Sequence, residues 1–227
     1  MSDVGTGAAG SSDVSAGYWP FVDLVLVADG MVLRPMTEVD LTPLADMLPD
    51  DVDLNPALPS FGGQRTPSTA RGTTLCQTYW HAIGTWRPES WSLPFVVWVD
   101  GVRVGVQSLE GNDFATRRTV DSFSWLTTTR RGRGLGKAMR LAILALAFDG
   151  LGAEVAETSA WHDNAASIGV SRALGYVDNG VHRHADRGRI DDMVYLRMTR
   201  EVWQTRHAAH GVRVHGLAPC LPFFGLD

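Results

Sequence analysis

The residues best able to do chemistry cluster at Arg131-Gly132-Arg133-Gly134-Leu135-Gly136-Lys137. Glycines let backbone approach an anion without side-chain interference. A helix starting there points unpaired N–H groups and the positive end of its macrodipole at the same spot. Arg130, Arg131, Arg133 and Lys137 add positive charge to a chain whose formal net charge is -5. The segment therefore reads as an anion site able to hold a pyrophosphate. Two phosphate motifs do not fit it. A Walker loop needs glycine six residues before the lysine and Ser or Thr after it; those positions hold Arg131 and Ala138. A dinucleotide fingerprint needs GxGxxG in a parallel unit. Gly132-x-Gly134-x-Gly136 misses the third spacing, and strands of antiparallel type precede it. A glycine-rich turn with solvated arginines is the plain alternative.

Other reactive residues surround this segment in sequence. Asp121 sits on the apolar stretch that leads into it, and Glu110 and Asp113 follow the stretch before that. Downstream, Asn164, Ser167 and Ser171 share one face at helical spacing. An Asn that opens a helix is also a common N-cap. His182 and His184 alternate on one strand, without further ligands at metal spacing. His162 precedes Asp163-Asn164. Cys76 and Cys220 are far apart and form no CxxC, so they read as reduced thiols of a cytoplasmic protein.

Local patterning supplies the elements that must position these groups. Val22 to Val27 and Met31 to Arg34 read as strands around an Asp29-Gly30 turn. Thr37 is a candidate N-cap for a short helix with Leu41, Leu44, Met47 and Leu48. Pro56, Pro59, Gly62, Gly63 and Pro67 predict a loop, and Ser68 to Thr85 a second helix. Leu93 to Val99, Val102 to Leu109 and Arg118 to Leu126 read as strands, the last with Val120, Ser122, Ser124 and Leu126 on one face. After the glycines comes a helix with Met139, Ile143, Leu146 and Ala147 as its apolar stripe, stopped by Gly150 and Gly152. Glu154 to Ala160 is a strand and Asn164 to Leu174 a helix ended by Gly175. Tyr176 to His184 and Asp192 to Met198 form a hairpin around Asp186-Arg187-Gly188.

Composition narrows the class. At 227 residues, 44% hydrophobic and 20% charged, the chain fits one soluble globular domain with extensions. Its acidic balance argues against a dedicated nucleic-acid binder. The arginines are confined to one strand–helix junction, without the interleaved aromatics of an RNA-binding surface. No apolar run spans a bilayer. Residues 1–17 lack a basic and an apolar leader region and read as a disordered tail. Residues 18–206 read as the domain. Residues 207–227 form an apolar extension that packs on it or on a neighbouring subunit, which leaves a homo-oligomer open.

Arg131-x-x-Gly134-x-Gly136 resembles the Gln/Arg-x-x-Gly-x-Gly/Ala motif of the GNAT superfamily of acyl-CoA N-acyltransferases. Val120 to Leu126 resembles the strand that enters this motif. Asn164 to Tyr176 resembles the second motif, an Asn-led helix ending Leu-Gly-Phe/Tyr. Ser167 and the Trp125-Leu126 pair are most similar to the branch of ribosomal-protein N-terminal acetyltransferases. Trp91 to Trp203 is similar to an actinobacterial succinyltransferase-type member.

The resemblance implies an α/β (α+β) GNAT fold: a twisted, mixed, mostly antiparallel sheet flanked by helices, with two splayed strands forming the acyl-CoA cleft. It implies that backbone at Leu126, Thr127 and Thr128 runs beside the pantetheine arm. Arg131, Gly132, Arg133, Gly134, Leu135, Gly136 and Lys137 would hold the pyrophosphate, with Asn164 and Ser167 contacting the donor. Acetyl-CoA or succinyl-CoA is then a donor substrate, not a resident cofactor, and no metal is needed. The acceptor is a primary amine, of a small molecule or a protein, which attacks the thioester directly. Asp121 stands where related enzymes often carry a glutamate base, and Ser167 or Ser171 would serve the departing thiolate. A non-catalytic acyl-CoA sensor with the same fold is the alternative.

Overall fold

A computed structural model of the chain describes residues 17–53, 66–186 and 189–226. Most of the expected N-terminal tail, the loop through Pro56 to Gly63, and the Arg187-Gly188 turn lie outside them.

The chain begins differently from expectation. Pro20–Asp23 is a helical turn, not strand, with Pro20 and Phe21 buried. A proline at the start of a helical turn has its φ pre-set and loses no hydrogen bond. Strand β1 (Val25–Ala28) then turns at Gly30, φ 70, into β2 (Met31–Pro35). Helix α1 (Glu38–Asp46) opens with a reciprocal capping box between Thr37 and Asp40. Helix α2 (Pro67–Gly84) takes Pro67 as its first residue, so the expected loop ends one residue earlier. Strands β3 (Ser90–Val99) and β4 (Val102–Asn112) form a long hairpin around Asp100-Gly101.

A short helix α3 (Phe114–Arg117) leads into β5 (Thr119–Asp121) and β6 (Ser124–Leu126). Helix α4 (Leu135–Ala145) runs on as a wider π turn over Leu146–Gly150. Then follow β7 (Val155–Trp161), α5 (Ala165–Leu174), β8 (Val177–Asp186), β9 (Arg189–Thr199), α6 (Arg200–His207) and β10 (Arg213–His215).

All strands join one twisted open sheet in the order β10-β1-β2-β3-β4-β5-β7-β9-β8, with β6 on β4. Among the described residues every pairing is antiparallel except β5 with β7, and α4 makes the crossover between those two. Side-chain alternation gives the sheet two apolar faces. On one, Phe95, Val97, Leu109 and Val120 pack under Ile143 and Leu146. On the other, Val96, Val106 and Trp125 pack under Leu44 and Leu75 of α1 and α2.

The C-terminal stretch folds back onto the domain. β10 pairs with β1, and the helical turn Ala218–Phe224 buries Cys220 and Phe224. The Trp86 indole donates to the Phe223 carbonyl at 2.9 Å, and Phe224 meets Trp91 edge-on at 4.7 Å.

Candidate active site

The sheet comes apart where β5 becomes β6. β5 holds β7 at only two positions, Thr119–Val155 and Val120–Ala156. Beyond them β6 stays on β4 and β7 stays on β9, and no ladder joins β6 to β7. β5 and β6 keep one continuous register on β4, so they are two halves of one strand interrupted at Ser122-Phe123. The result is a V-shaped gap opening toward Leu126.

The glycine-rich segment stands at the mouth of this gap. The Thr127 N–H still bonds the Val104 carbonyl, at 2.9 Å, and a single helical turn over Thr128–Arg130 then reverses the chain. Arg131 anchors that turn. Its Nε donates to the Leu126 carbonyl at 3.0 Å, and its two terminal nitrogens reach Asp51 at 2.5 and 2.8 Å. The Arg131 partnership holds the Asp51 carboxyl below its ordinary range. Gly132 and Gly134 adopt left-handed φ values of 72 and 79, and Gly134 is the N-cap of α4. Lys137 and Ala138 bond back to the Gly134 carbonyl. The N–H groups before them are those a helix start leaves without intrahelical partners. Arg133 and Lys137 are exposed and, among the described residues, in no ion pair.

Helix α5 lies against the first turn of α4: a Cβ on Gly136 would sit 3.6 Å from Val170. Asn164 caps α5, its side-chain oxygen accepting from the Ser167 N–H at 3.0 Å. Ser167 is half-buried. Ser171 is fully buried, and its hydroxyl donates to the Ser167 carbonyl at 3.1 Å. The structure thus brings Leu126 to Lys137 together with the α4–α5 packing, while the Ser171 hydroxyl is turned inward.

Two carboxylates flank the closed end of the gap on the α1/α2 face. Glu110 and Asp121 are directly opposed across β4 and β5. Ser92 donates to Glu110 at 3.3 Å, and the Ser122 N–H donates to Asp121 at 2.6 Å. Burial, and secondarily the Asp121 charge, pushes the Glu110 carboxyl up to about 7. Asp121 keeps solvent contact, yet enough protein surrounds it that burial raises its pKa too. The Ser122 N–H and Arg140 oppose that rise, and Glu157 adds to it.

On the opposite face, Arg140 of α4 lies under the gap at 3% exposure. It donates to Ser124 on β6 and to Thr158 on β7, both at 3.3 Å. The expected apolar stripe of α4 exists, but sequence reasoning passed over this arginine within it. A lone cation between Met139 and Ile143 was the available signal. The expected histidines engage neighbours: His162 with Asp191 at 3.2 Å, His182 with Tyr195, and His184 with Trp161. Among the described residues, no cluster of three His, Cys, Asp or Glu side chains could hold a metal ion. No described helix is long and apolar enough to cross a membrane.

The fold thus combines a parallel crossover, a diverging strand pair and a glycine-rich helix start at their mouth. Residues 31–177 match the acetyltransferase (GNAT) domain family, and the chain belongs to that family. It has the GNAT fold, and its members move an acyl group from acyl-CoA to an amine. Solved structures agree on the fold. Mycobacterium smegmatis RimJ, in complex with CoA-disulfide, superimposes with a TM-score of 0.64 at 21% identity, over 85% of this chain and 97% of that one. A RimL ribosomal L7/L12 alpha-N-protein acetyltransferase in complex with coenzyme A gives 0.57 at 15%, over 76% and 96%. A spermidine N-acetyltransferase SpeG chimera from Vibrio cholerae and hSSAT gives 0.59 at 14%, over 78% and 100%.

Proposed function

We propose that this protein acylates a primary amine, using an acetyl-CoA or succinyl-CoA donor, by direct attack within the β6/β7 gap. The observation that carries this reading is the coincidence of three features: the diverging strands, the Arg131 to Lys137 loop at their mouth, and the Glu110–Asp121 pair at their closed end.

The pyrophosphate lies on the N–H groups from Gly132 to Gly136, with the side chains of Arg131, Arg133 and Lys137 supplying charge. The pantetheine arm runs along Leu126, Thr127 and Thr128, replacing the strand pairing that β7 no longer provides, with Asn164 and Ser167 of α5 on its flank. The amine arrives as an ammonium at the carboxylate pair and loses a proton to Asp121 through a water. Its nitrogen then bonds to the acyl carbon, the carbon–sulfur bond breaks, coenzyme A leaves as a thiolate, and the nitrogen sheds its second proton to solvent to give the neutral amide. Ser167 hydrogen-bonds that sulfur, and Ser171 supports Ser167 from within the helix. The thiolate takes a proton from solvent, so the products are the amide and free coenzyme A.

The test is mass spectrometry of the protein incubated with acetyl-CoA or succinyl-CoA and a panel of primary amines, with free thiol release followed in parallel. Amide formation with matching thiol release is expected. Tight donor binding with no amide across the panel would replace this reading with that of a non-catalytic acyl-CoA sensor.

A further inference from the structure

Arg140 is a buried guanidinium with no carboxylate in ion-pair reach among the described residues. The side chains it hydrogen-bonds are neutral, and the Asp121 carboxylate whose charge it feels lies beyond ion-pair reach on the other face of the sheet. Ser124 and Thr158 accept from its two terminal nitrogens at 3.3 Å, near the limit of useful length, and its Nε has no partner. Beside it, and in polar contact with it, stands the Tyr176 hydroxyl, 3% exposed as a residue and with no other hydrogen-bond partner among the described residues. Gln107, fully buried and opposite Ser124 in the ladder, leaves its side-chain carbonyl oxygen unpaired. A cation taken out of water is tolerated when an anion meets it with good geometry. Hydroxyl dipoles and a carboxylate beyond ion-pair reach compensate its charge only in part.

Its place in the gap indicates where the anion comes from. Ser124 and Thr158 belong to the two strands that diverge, so the guanidinium bridges the gap near its closed end. It lies on the α4 face, whereas Glu110 and Asp121 lie on the α1/α2 face. A thioester held between the strands and attacked from the carboxylate side directs its acyl tail to the far side, toward Arg140. A methyl group ending there would face a bare charge and unsatisfied polar atoms. A carboxylate would find a planar fork of donors and a phenolic O–H.

We propose that Arg140, with Tyr176, forms a buried anion subsite that receives a terminal carboxylate on the donor's acyl chain, making the preferred donor a dicarboxylic monoacyl-CoA. The subsite rests on the acyl-CoA reading given above and extends it to the acyl group itself.

Calorimetric titration with coenzyme A, acetyl-CoA and succinyl-CoA tests it. Wild-type protein should bind succinyl-CoA at least tenfold more tightly than acetyl-CoA. Arg140→Met, which keeps length and removes charge, should abolish that preference while leaving coenzyme A affinity within about twofold. Thermal melting of the ligand-free variant should show no loss of stability, because an unpaired buried cation has been removed. Equal wild-type affinity for the two acyl donors would overturn the subsite, and this measurement stands even if the variant fails to fold. A preference retained in Arg140→Met would overturn it as well. Failure of coenzyme A itself to bind would instead overturn the acyl-CoA reading, and the subsite with it.

Discussion

Glu110 and Asp121 face each other across β4 and β5, two carboxylates at directly opposed ladder positions on the α1/α2 face of the sheet. Like charges so placed repel, and neither has a cation in hydrogen-bond contact among the described residues. The strain falls on Glu110, whose pKa rises to about 7, first through burial and then through Asp121.

A pH dependence follows. The folded pKa of Glu110 lies above its ordinary value of 4.5, so the folded protein binds that proton more tightly than the unfolded chain. Stability contributed by this group is present below about pH 4.5 and is lost as pH rises through about 7. Glu110→Gln should therefore stabilise the protein at pH 8, by on the order of 2 kcal/mol, and have little effect at pH 4. Urea unfolding at the two pH values measures the difference. Asp121→Asn should lower the Glu110 pKa only in part, because burial, the larger cause, remains; a pH titration of Glu110 by NMR in the variant measures this.

Turnover separates the two carboxylates from the donor site. Asp121→Asn should reduce kcat by about 10²–10⁴-fold, the range for losing a positioned base, with donor affinity within twofold. Ser167→Ala should reduce kcat by about tenfold, the loss of one hydrogen bond to the leaving group. Steady-state rates combined with calorimetry distinguish these outcomes from a binding defect.

The proposed anion loop depends on shape as much as on charge. Gly134 holds φ 79 at the cap of α4, where a side chain costs about 1–2 kcal/mol. Gly134→Glu should abolish coenzyme A binding with the fold retained, as judged by calorimetry and circular dichroism. Asp51→Ala leaves the loop's positive charge intact but removes the partner that orders Arg131. It should weaken coenzyme A binding about threefold and leave the melting temperature nearly unchanged, because exposed pairs contribute only about 0–1 kcal/mol. Arg131→Ala should weaken binding more, by about tenfold.

Stability away from the gap centres on Asp40. It is fully buried, bonded to Arg34 at 2.9 and 3.1 Å and to Arg103 at 3.0 Å, and it closes the capping box of α1. Burial raises its pKa, but the Thr37 N–H and the two arginines outweigh that and lower it overall. Its stabilisation is therefore present above the ordinary carboxyl range and is lost only as pH falls through the lower folded pKa. Asp40→Ala should destabilise the protein by about 2–4 kcal/mol, since it strands two guanidinium groups. Denaturant unfolding at pH 7 reads this directly.

Local signals in the sequence determined the elements around the site. The Asp29-Gly30 and Asp100-Gly101 turns, the Thr37 cap, the alternation from Val120 to Leu126 and the Gly175 stop each act through neighbouring residues, so a linear reading reaches them. The same holds for the loop from Arg131 to Lys137, whose glycines and charges are contiguous. The helical turn at Pro20–Asp23 and strand β10 are tertiary products, because they are ordered by partners far along the chain: Phe21 by Trp86 and Phe224, and β10 by β1. The Glu110–Asp121 opposition and the Arg140 bridge are tertiary as well. Each requires a register or a crossover to place side chains 11 to 18 residues apart in contact distance, in surroundings dry enough to change what their charges do.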